Sequence, residues 1–405
     1  MGQINIAIVG LGQIGNYLYN ELIAKKKDIE IKTGKKIQIV AISAKNKNKK
    51  RKFKINKKIF YKNPLDIIKH KKVDVLIEAI GFADGLSKKI VENALKNKIH
   101  VITPNKALIS KHGDYLSFLA EKNKVNLEFE AAVAGGIPIV RTIKEGLATN
   151  KITKVYGILN GTCNYILSQM EKTKDSFKNV LKNAQKLGYA EPGNPKLDLN
   201  GYDALAKVKI LSALAFNCKI SKSQSLMEGI EKIEATDFEI VEKLNLRIKL
   251  LGITEIINNK IFERVHPCLV SRDSYIGNVT DVMNAVILEG KPVGESVMQG
   301  EGAGPGPTTS ALMSDLLSIL RGNIKFPFGI SNNKRNISNS YNYNSYENSL
   351  YLRVEVKDKP GVLAFITKKL ANKNITVERL IQKPNYKNKT ASIIIITHES
   401  KEKDA

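Results

Sequence analysis

Cysteine is scarce in this chain: three occur in 405 residues, Cys163, Cys218 and Cys268. Three thiols cannot staple such a length, and none of their spacings makes a zinc knuckle or a Cys-x-x-Cys redox pair, so each is read as a reduced structural thiol. No apolar run approaches the about 18 residues a membrane span needs. The start, Met1-Gly2-Gln3 followed at once by a strand-like run from Ile4, lacks the charged stretch and apolar segment of a secretory leader. The expectation is a cytoplasmic protein without a membrane partner.

Acidic residues are in deficit, 39 Asp plus Glu against 65 Lys plus Arg, a formal net charge of +26. Such a charge raises the question of nucleic acid. Only nine of the basic residues are Arg, Trp is absent and aromatics are 6%. Readers of nucleic acid favour the bidentate Arg fork and exposed rings for stacking, so no nucleic-acid partner is expected. One cluster, from Lys45 to Lys58, is denser than the rest.

The length implies about two to three domains. Residues 4–9, 37–42, 73–79 and 99–102 are short apolar runs, and 14–27 and 87–96 have helical spacing between them. Strand, helix, strand at this spacing reads as βαβ units on a parallel sheet. The section 131–304 mixes helical runs such as 204–216 with β-rich runs such as 152–159 and reads as α+β. Residues 331–349 are polar and Asn/Ser-rich, without an apolar period, and read as a linker. Beyond them come an alternating strand at 350–356, a turn at Asp358-Lys359-Pro360-Gly361, a helix at 362–371 and strands at 375–381 and 391–397.

Gly10-Leu11-Gly12-Gln13-Ile14-Gly15 fits Gly-x-Gly-x-x-Gly between a strand and a helix. The first Gly allows the tight turn, the second lets backbone approach a pyrophosphate, and the third lets helix and strand pack closely. A dinucleotide is therefore expected. An NAD site expects an acidic residue at the end of the second strand, but here Ala41-Ile42-Ser43-Ala44-Lys45 is followed by Lys47, Lys49, Lys50, Arg51 and Lys52, with no Asp or Glu before Asp66. Cations there suit a 2′-phosphate, so NADP(H) is expected over NAD(H), with Lys45 as its contact. The same lysines could also form one more solvated loop.

Three further segments are hard to explain as scaffolding. Thr103-Pro104-Asn105-Lys106 ends a predicted strand, at the edge where open parallel sheets bind ligands. Glu130-Ala131-Ala132-Val133-Ala134-Gly135-Gly136-Ile137-Pro138 is rich in small residues. A carboxylate-bearing loop with Glu191 and Asp198 runs into a helix carrying Asp203 and Lys207 one turn apart.

At these segments the sequence resembles homoserine dehydrogenase, over about residues 1–330. The Gly-rich loop, His100 to Leu108, Glu130 to Pro138, the Gly157-Ile158-Leu159-Asn160-Gly161-Thr162-Cys163-Asn164-Tyr165-Ile166-Leu167 run, the Glu191 to Lys207 segment and Gly300-Glu301-Gly302-Ala303-Gly304 stand in the family's order. The resemblance implies NAD(P)H-dependent interconversion of L-aspartate 4-semialdehyde and L-homoserine, in the branch toward threonine, methionine and isoleucine. It implies Lys207 as the acid/base at the C4 oxygen and Lys106 as a second cation near substrate and nicotinamide. Glu191, Asp198, Asp203, Gly161 and Thr162 fall to the substrate; Thr103, Lys106 and Gly302 join the Gly-rich loop and Lys45 at the cofactor. Glu130, with the backbone of Val133, Gly135 and Ile137, is implied to bind a monovalent cation such as Na⁺. Cys163 is read as packing. A homodimer or homotetramer is expected.

Lys357-Asp358-Lys359-Pro360-Gly361-Val362-Leu363-Ala364 is similar to the first turn and helix of an ACT domain, which in this family binds an amino-acid effector, typically L-threonine. Such a domain continues into a second helix and fourth strand, so the module is read as truncated. The expected fold class is α/β: a Rossmann-type domain over 1–130, completed by about 305–330 with a returning helix at 308–320, an α+β substrate and dimerisation domain over 131–304, the linker over 331–349, and a partial ferredoxin-like ACT module over 350–405. No kinase-like segment precedes Met1, which reads as a monofunctional form. Two rivals stay open: a different semialdehyde dehydrogenase using a Cys nucleophile, for which only Cys163 could serve, and a non-catalytic NADP-sensing or nucleic-acid-binding regulator.

Overall fold

The computed structural model describes residues 2–46, 56–69, 72–193, 195–337, 339–386 and 388–404. Lys47, Lys49, Lys50, Arg51, Lys52 and Asn194 lie outside the described residues.

Six strands, β1 (Gln3–Val9), β2 (Lys36–Ser43), β3 (Phe60–Tyr61), β4 (Val75–Glu78), β5 (His100–Ile102) and β6 (Leu127–Glu128), form one sheet in the order β3-β2-β1-β4-β5-β6. Every neighbouring pair is parallel. The apolar runs form strands because both faces of a parallel sheet are covered by helices, leaving little room for polar side chains. Ile6, Ile8, Ile42, Val75, Ile77 and Ile102 are all buried. The strand order reverses between β1 and β4, and ligands bind such sheets in the crevice outside the strand C-termini at that point. The helix Pro305–Leu320 places Ala311, Leu312, Leu316, Ile319 and Leu320 in the same core as β1 and the helix Gln13–Ala24.

A second, mixed sheet contains β7 (Lys151–Ile158), β8 (Leu226–Met227), β9 (Leu246–Ile257), β10 (Lys260–Ser271), β11 (Met283–Lys291) and β12 (Gly294–Glu301), in the order β12-β11-β7-β9-β10-β8. Only the β8 to β10 pairing is parallel. The helix Tyr202–Ala215 lies close on this sheet at Gly252. A Cβ there would stand 2.6 Å from Val208 Cγ2 and 2.8 Å from Leu159 Cδ1, so the approach that brings the helix onto the sheet depends on the missing side chain.

Residues 331–337, 339 and 340, the start of the stretch read as a linker, are docked. The Ile261 amide donates to Asn339 O (2.9 Å) and the Lys219 amide to Asn336 O (2.8 Å). The Arg335 side chain is fully buried. The docking uses polar groups and one cation, so no apolar period in the sequence marks it.

A second compact unit spans Tyr341–Ala405. Within it β14 (Tyr351–Lys357), β15 (Val377–Asn385) and β16 (Thr390–Thr397) form an antiparallel sheet in the order β14-β16-β15, with the helix Val362–Ala371 following β14. The central strand buries Ala391, Ile393, Ile394 and Ile395. The short strands β13 (Glu347–Asn348) and β17 (Ser400–Lys401) pair with each other.

Candidate active site

The Gly-rich turn sits at the C-terminal end of β1, at the switch point. Gly10 has φ +101°, and a Cβ on it would lie 2.4 Å from Ala79 O; one on Gly15 would lie 1.9 Å from Gly10 O. Neither position tolerates a side chain. Around Gly12, by contrast, the space a Cβ would take is open, and Gly12 caps the helix Gln13–Ala24. This is the cradle a diphosphate needs, with backbone amides at a helix N-terminus. Leu11 is buried, Gln13 is exposed and Ile14 packs against the sheet core. Lys45 is exposed two residues beyond β2.

The neighbouring strand end is organised by a residue that sequence reasoning missed. Glu78 closes β4 and is fully buried. Its Oε1 accepts from the amides of Ile80 (2.8 Å) and Gly81 (3.1 Å) and from Ser87 Oγ (2.7 Å), and its Oε2 accepts from Thr103 Oγ1 (2.6 Å). Thr103, assigned from sequence to the cofactor, thus donates its hydroxyl to Glu78 and in turn accepts from the Asn105 amide (3.1 Å). Asn105 caps the helix Lys106–Asn123 through Leu108 N (3.1 Å) and donates to Phe82 O (2.7 Å). The available signal was one carboxylate ending an otherwise apolar buried strand, Val75-Leu76-Ile77-Glu78; a buried charge is kept only where it is paired or hydrogen-bonded.

Lys106 is the first residue of its helix and therefore stands at the end of the β5 loop. Its Nζ lies 2.8 Å from Asp203 Oδ1. The other carboxylate oxygen, Oδ2, lies 2.8 Å from Lys207 Nζ one helical turn on. The Lys207 ammonium also donates to Leu159 O at 2.5 Å. Side-chain exposure separates the two lysines, 41% for Lys106 against 9% for Lys207. Asp203 and Lys207 are thus a buried pair and not the solvated surface pair that their spacing alone would allow.

Asn160 ties this array to the next segment. Its Oδ1 accepts from Cys163 N (2.8 Å), capping the helix Gly161–Thr173, while its Nδ2 donates to Asp198 Oδ1 (2.8 Å) and Asp203 Oδ2 (3.0 Å). Sequence reading included Asn160 in a motif without giving it a role. A capping Asn has an amide to spare, and only the fold shows where that amide points.

The charges divide the roles. Burial pulls the Lys207 ammonium below the usual lysine range and Lys106 adds repulsion, against the attraction of Asp203. Burial would depress Lys106 too, but Asp203, helped by Asp198 and Glu191, outweighs it and holds that ammonium above its usual range. Asp203 is pushed up by burial but held far below the carboxylate range by Lys207 and Lys106. Burial and the Asp203 charge raise Asp198. Two lysines on one carboxylate therefore differ: Asp203 outweighs burial at Lys106, whereas burial wins at Lys207.

The remaining assigned residues are spread in function. Glu191 is exposed, with its backbone carbonyl held by Gln185 Nε2 (3.1 Å). Thr162 Oγ1 donates to Tyr189 O (2.7 Å), closing the same loop from the other side. Gly161 abuts Val282 O, which a Cβ would approach to 2.7 Å. Gly302, expected at the cofactor, packs on Asn284: a Cβ on it would lie 2.0 Å from Nδ2, so this position takes no side chain. The buried Cys163 thiol is pushed well above its ordinary range by burial, then by Asp198 and Asp203, and donates to Asp198 O (3.3 Å). A nucleophilic thiol needs the opposite, a stabilised thiolate.

Glu130 is buried, its Oε1 accepting from Val140 N and its Oε2 from Arg141 N, both at 2.8 Å, and its own amide donating to Asp315 Oδ2 (3.0 Å). Ile137 O accepts from the Ile139 amide (2.8 Å). Gly135, at φ +53°, packs on Gly302, and Val133 is buried. Among the described residues, no His/Cys/Asp/Glu group of three or more has a metal-binding arrangement, and no helix is long and apolar enough to cross a membrane.

Residues 10–130 match the family model "Homoserine dehydrogenase, NAD binding domain", and residues 138–317 match the model "Homoserine dehydrogenase". The homoserine dehydrogenase of Neisseria gonorrhoeae is 39% identical over 409 residues, covering 100% of this chain and 93% of that protein. That of Bacillus subtilis is 34% identical over 415 residues, covering 100% and 93%. A solved homoserine dehydrogenase from Thiobacillus denitrificans superimposes with a TM-score of 0.90 at 34% identity, covering 99% of this chain and 93% of that one. With both parts of the chain matched and relatives aligned over nearly their whole length, the chain belongs to the homoserine dehydrogenase family of oxidoreductases.

Proposed function

We propose that this chain interconverts L-aspartate 4-semialdehyde and L-homoserine, with Lys207 moving the proton at the C4 oxygen and NADP(H) as the preferred dinucleotide. The observation that carries the reading is the Lys106–Asp203–Lys207 array, with both nitrogens 2.8 Å from one carboxylate, beside the end of β5. Bound dinucleotide supplies the hydride to, or takes it from, the substrate carbon. Lys207, buried and depressed, gives its proton to the oxygen in reduction and recovers one in oxidation. Lys106, charged and more exposed, anchors substrate anionic character without competing for that role. Asp198 and Glu191 face the same region with acceptors suited to the substrate ammonium.

The open space at Gly12 supports dinucleotide binding, and the exposed Lys45, with no Asp or Glu in the sequence between it and Asp66, supports a 2′-phosphate. For the monovalent cation, Glu130 and the carbonyls of Val133, Gly135 and Ile137 are an oxygen-only set that suits a hard ion. Glu130 and Ile137 already accept amides and would offer only second lone pairs, which fits a weakly held ion with a structural role. In the C-terminal unit, the antiparallel order β14-β16-β15 with a helix after the first strand supports an ACT-type module, and L-threonine is its proposed effector.

The deciding experiment is dinucleotide reduction driven by L-homoserine in a buffer without phosphate, comparing NADP⁺ with NAD⁺ and Na⁺ with a bulky cation. Turnover with NADP⁺ is expected. No turnover with either dinucleotide would overturn the proposal, and millimolar L-threonine in the same assay tests the effector.

A further inference from the structure

We infer that Arg335 is a positioning residue for the reaction, locking together the two helices that carry Lys106 and Asp203 at points away from the active site. The helices Lys106–Asn123 and Tyr202–Ala215 meet at the site through the Lys106–Asp203 ion pair. Elsewhere, both are gripped by one segment, residues 328–336. The Arg335 guanidinium lies on the Phe328 ring, 3.9 Å from its centroid. Its Nη1 reaches Asp114 Oδ1 at 2.8 Å on the first helix, and its Nε donates to Cys218 O at 2.9 Å, just past the end of the second. Asp114 completes the link by accepting from Ile220 N at 3.1 Å.

Neighbouring contacts repeat this pattern. Glu121, on the first helix, accepts from the Asn332 amide at 3.0 and 2.9 Å through its two oxygens. Asn332 in turn accepts from Lys219 Nζ through its carbonyl (2.5 Å) and its Oδ1 (2.6 Å). Phe328 is buried and packs, tilted, with its ring centroid 5.1 Å from that of Phe129, immediately before Glu130. A buried cation with its charge partner and carbonyl acceptor in place tolerates little displacement, so the lock is stiff. A guanidinium that reaches two separate acceptors, Asp114 and Cys218 O, while lying on a ring is a task for Arg, and its third nitrogen, Nη2, is buried without a hydrogen-bond partner among the described residues.

Because both helices are rigid, a change at the lock alters where Lys106 Nζ stands relative to Asp203 and Lys207. A displacement of about 1 Å at reacting groups can lower turnover by up to roughly 100-fold. The groups facing Lys207 are Asp203, Lys106 and Asp198. Moving Lys106 away removes one repulsive charge and moves the alkaline limb of the reduction rate to higher pH.

The test uses the full chain and rests on the reaction proposed above. Arg335→Gln and Asp114→Asn are each expected to lower kcat by roughly 10- to 100-fold with the dinucleotide KM unchanged, and to shift the pH profile in the same direction. The double variant should be no worse than the worse single one, and Arg335→Lys should recover part of kcat. If Arg335→Gln does not fold, Asp114→Asn, a substitution at a partly exposed position, decides alone. Variants that lose Tm but keep wild-type kcat and pH profile would show a merely structural lock and overturn the inference. A wild-type enzyme inactive on homoserine would instead overturn the proposed reaction.

Discussion

Lys106 Nζ lies 2.8 Å from Asp203 Oδ1 across 97 residues of sequence, joining the first turn of the helix after β5 to the first turn of the helix that carries Lys207. This contact links a Rossmann strand end to the helix packed on the second sheet. It also explains why two lysines near one carboxylate behave differently. Asp203 satisfies both, but the more exposed Lys106 keeps its charge more readily than Lys207.

Lys207→Met should reduce turnover by about 10²- to 10⁴-fold, the usual contribution of a positioned acid/base, while dinucleotide affinity is retained. Steady-state kinetics with fluorescence titration of NADPH check it. A variant keeping more than about a tenth of wild-type kcat would remove Lys207 from that role.

Asp203→Asn should shift the pH dependence. Asp203 favours the charged form of Lys207, opposing the burial that depresses it. Without that carboxylate the ammonium loses its proton at lower pH, so the alkaline limb of aldehyde reduction moves down in pH. In homoserine oxidation, which needs the neutral amine, the rising limb moves down likewise. Rates across pH in both directions measure this; an unmoved profile with kcat intact would refute it.

Lys45→Asp should raise the KM for NADPH more than that for NADH, because a carboxylate repels a 2′-phosphate and accepts from a 2′-hydroxyl. The ratio of kcat/KM for the two dinucleotides is the readout. An unchanged ratio would show Lys45 to be solvated and uninvolved.

Glu78→Gln replaces one carboxylate oxygen by an amide that must face hydrogen-bond donors. With four donors on the two oxygens, the loss should be about 1.5–3 kcal/mol of stability, with weaker dinucleotide binding as the 79–87 loop loosens. Denaturant unfolding and NADPH titration test the two effects. Unchanged stability would show that the hub is dispensable.

Lys249 gives a pH signature independent of catalysis. It is buried in β9, with Nζ 2.5 Å from Val279 O and 3.4 Å from Asn164 Oδ1, and burial pulls its ammonium down to about 8. The unfolded chain binds this proton up to the ordinary lysine pKa, 10.5. The destabilisation is therefore fully present below about 8 and fades as pH rises from there to 10.5. Wild type should gain about 3 kcal/mol relative to Lys249→Met across that interval. Parallel stability curves for the two proteins would refute the assignment.

Much of the fold was legible because its signals are local. The apolar runs and the glycines of 10–15 imply a nucleotide-binding βαβ unit from elementary sterics, and β1, β2, β4 and β5 lie where those runs do. The helix at Lys207 was legible too, down to the one-turn spacing from Asp203. Other features were not. Glu78 and Asn160 tie their own turns to residues far along the chain, Thr103 for the one and Asp198 and Asp203 for the other, and neither leaves a periodic mark. The docking of residues 331–337, 339 and 340 was not legible either, because polar composition alone does not show whether a linker is docked.

The sequence by itself determined the strand and helix pattern, the Gly-rich turn, and which residue types were available for proton transfer and anion binding. Those follow from side-chain shape, periodicity and the forbidden φ of non-glycine residues. Only the tertiary structure decided that Asp203 stands between Lys106 and Lys207, that Gly302 packs on Asn284, and that Arg335 spans two helices. Charge and burial act through space over a few ångströms, and which groups come that close depends on the fold of the whole chain.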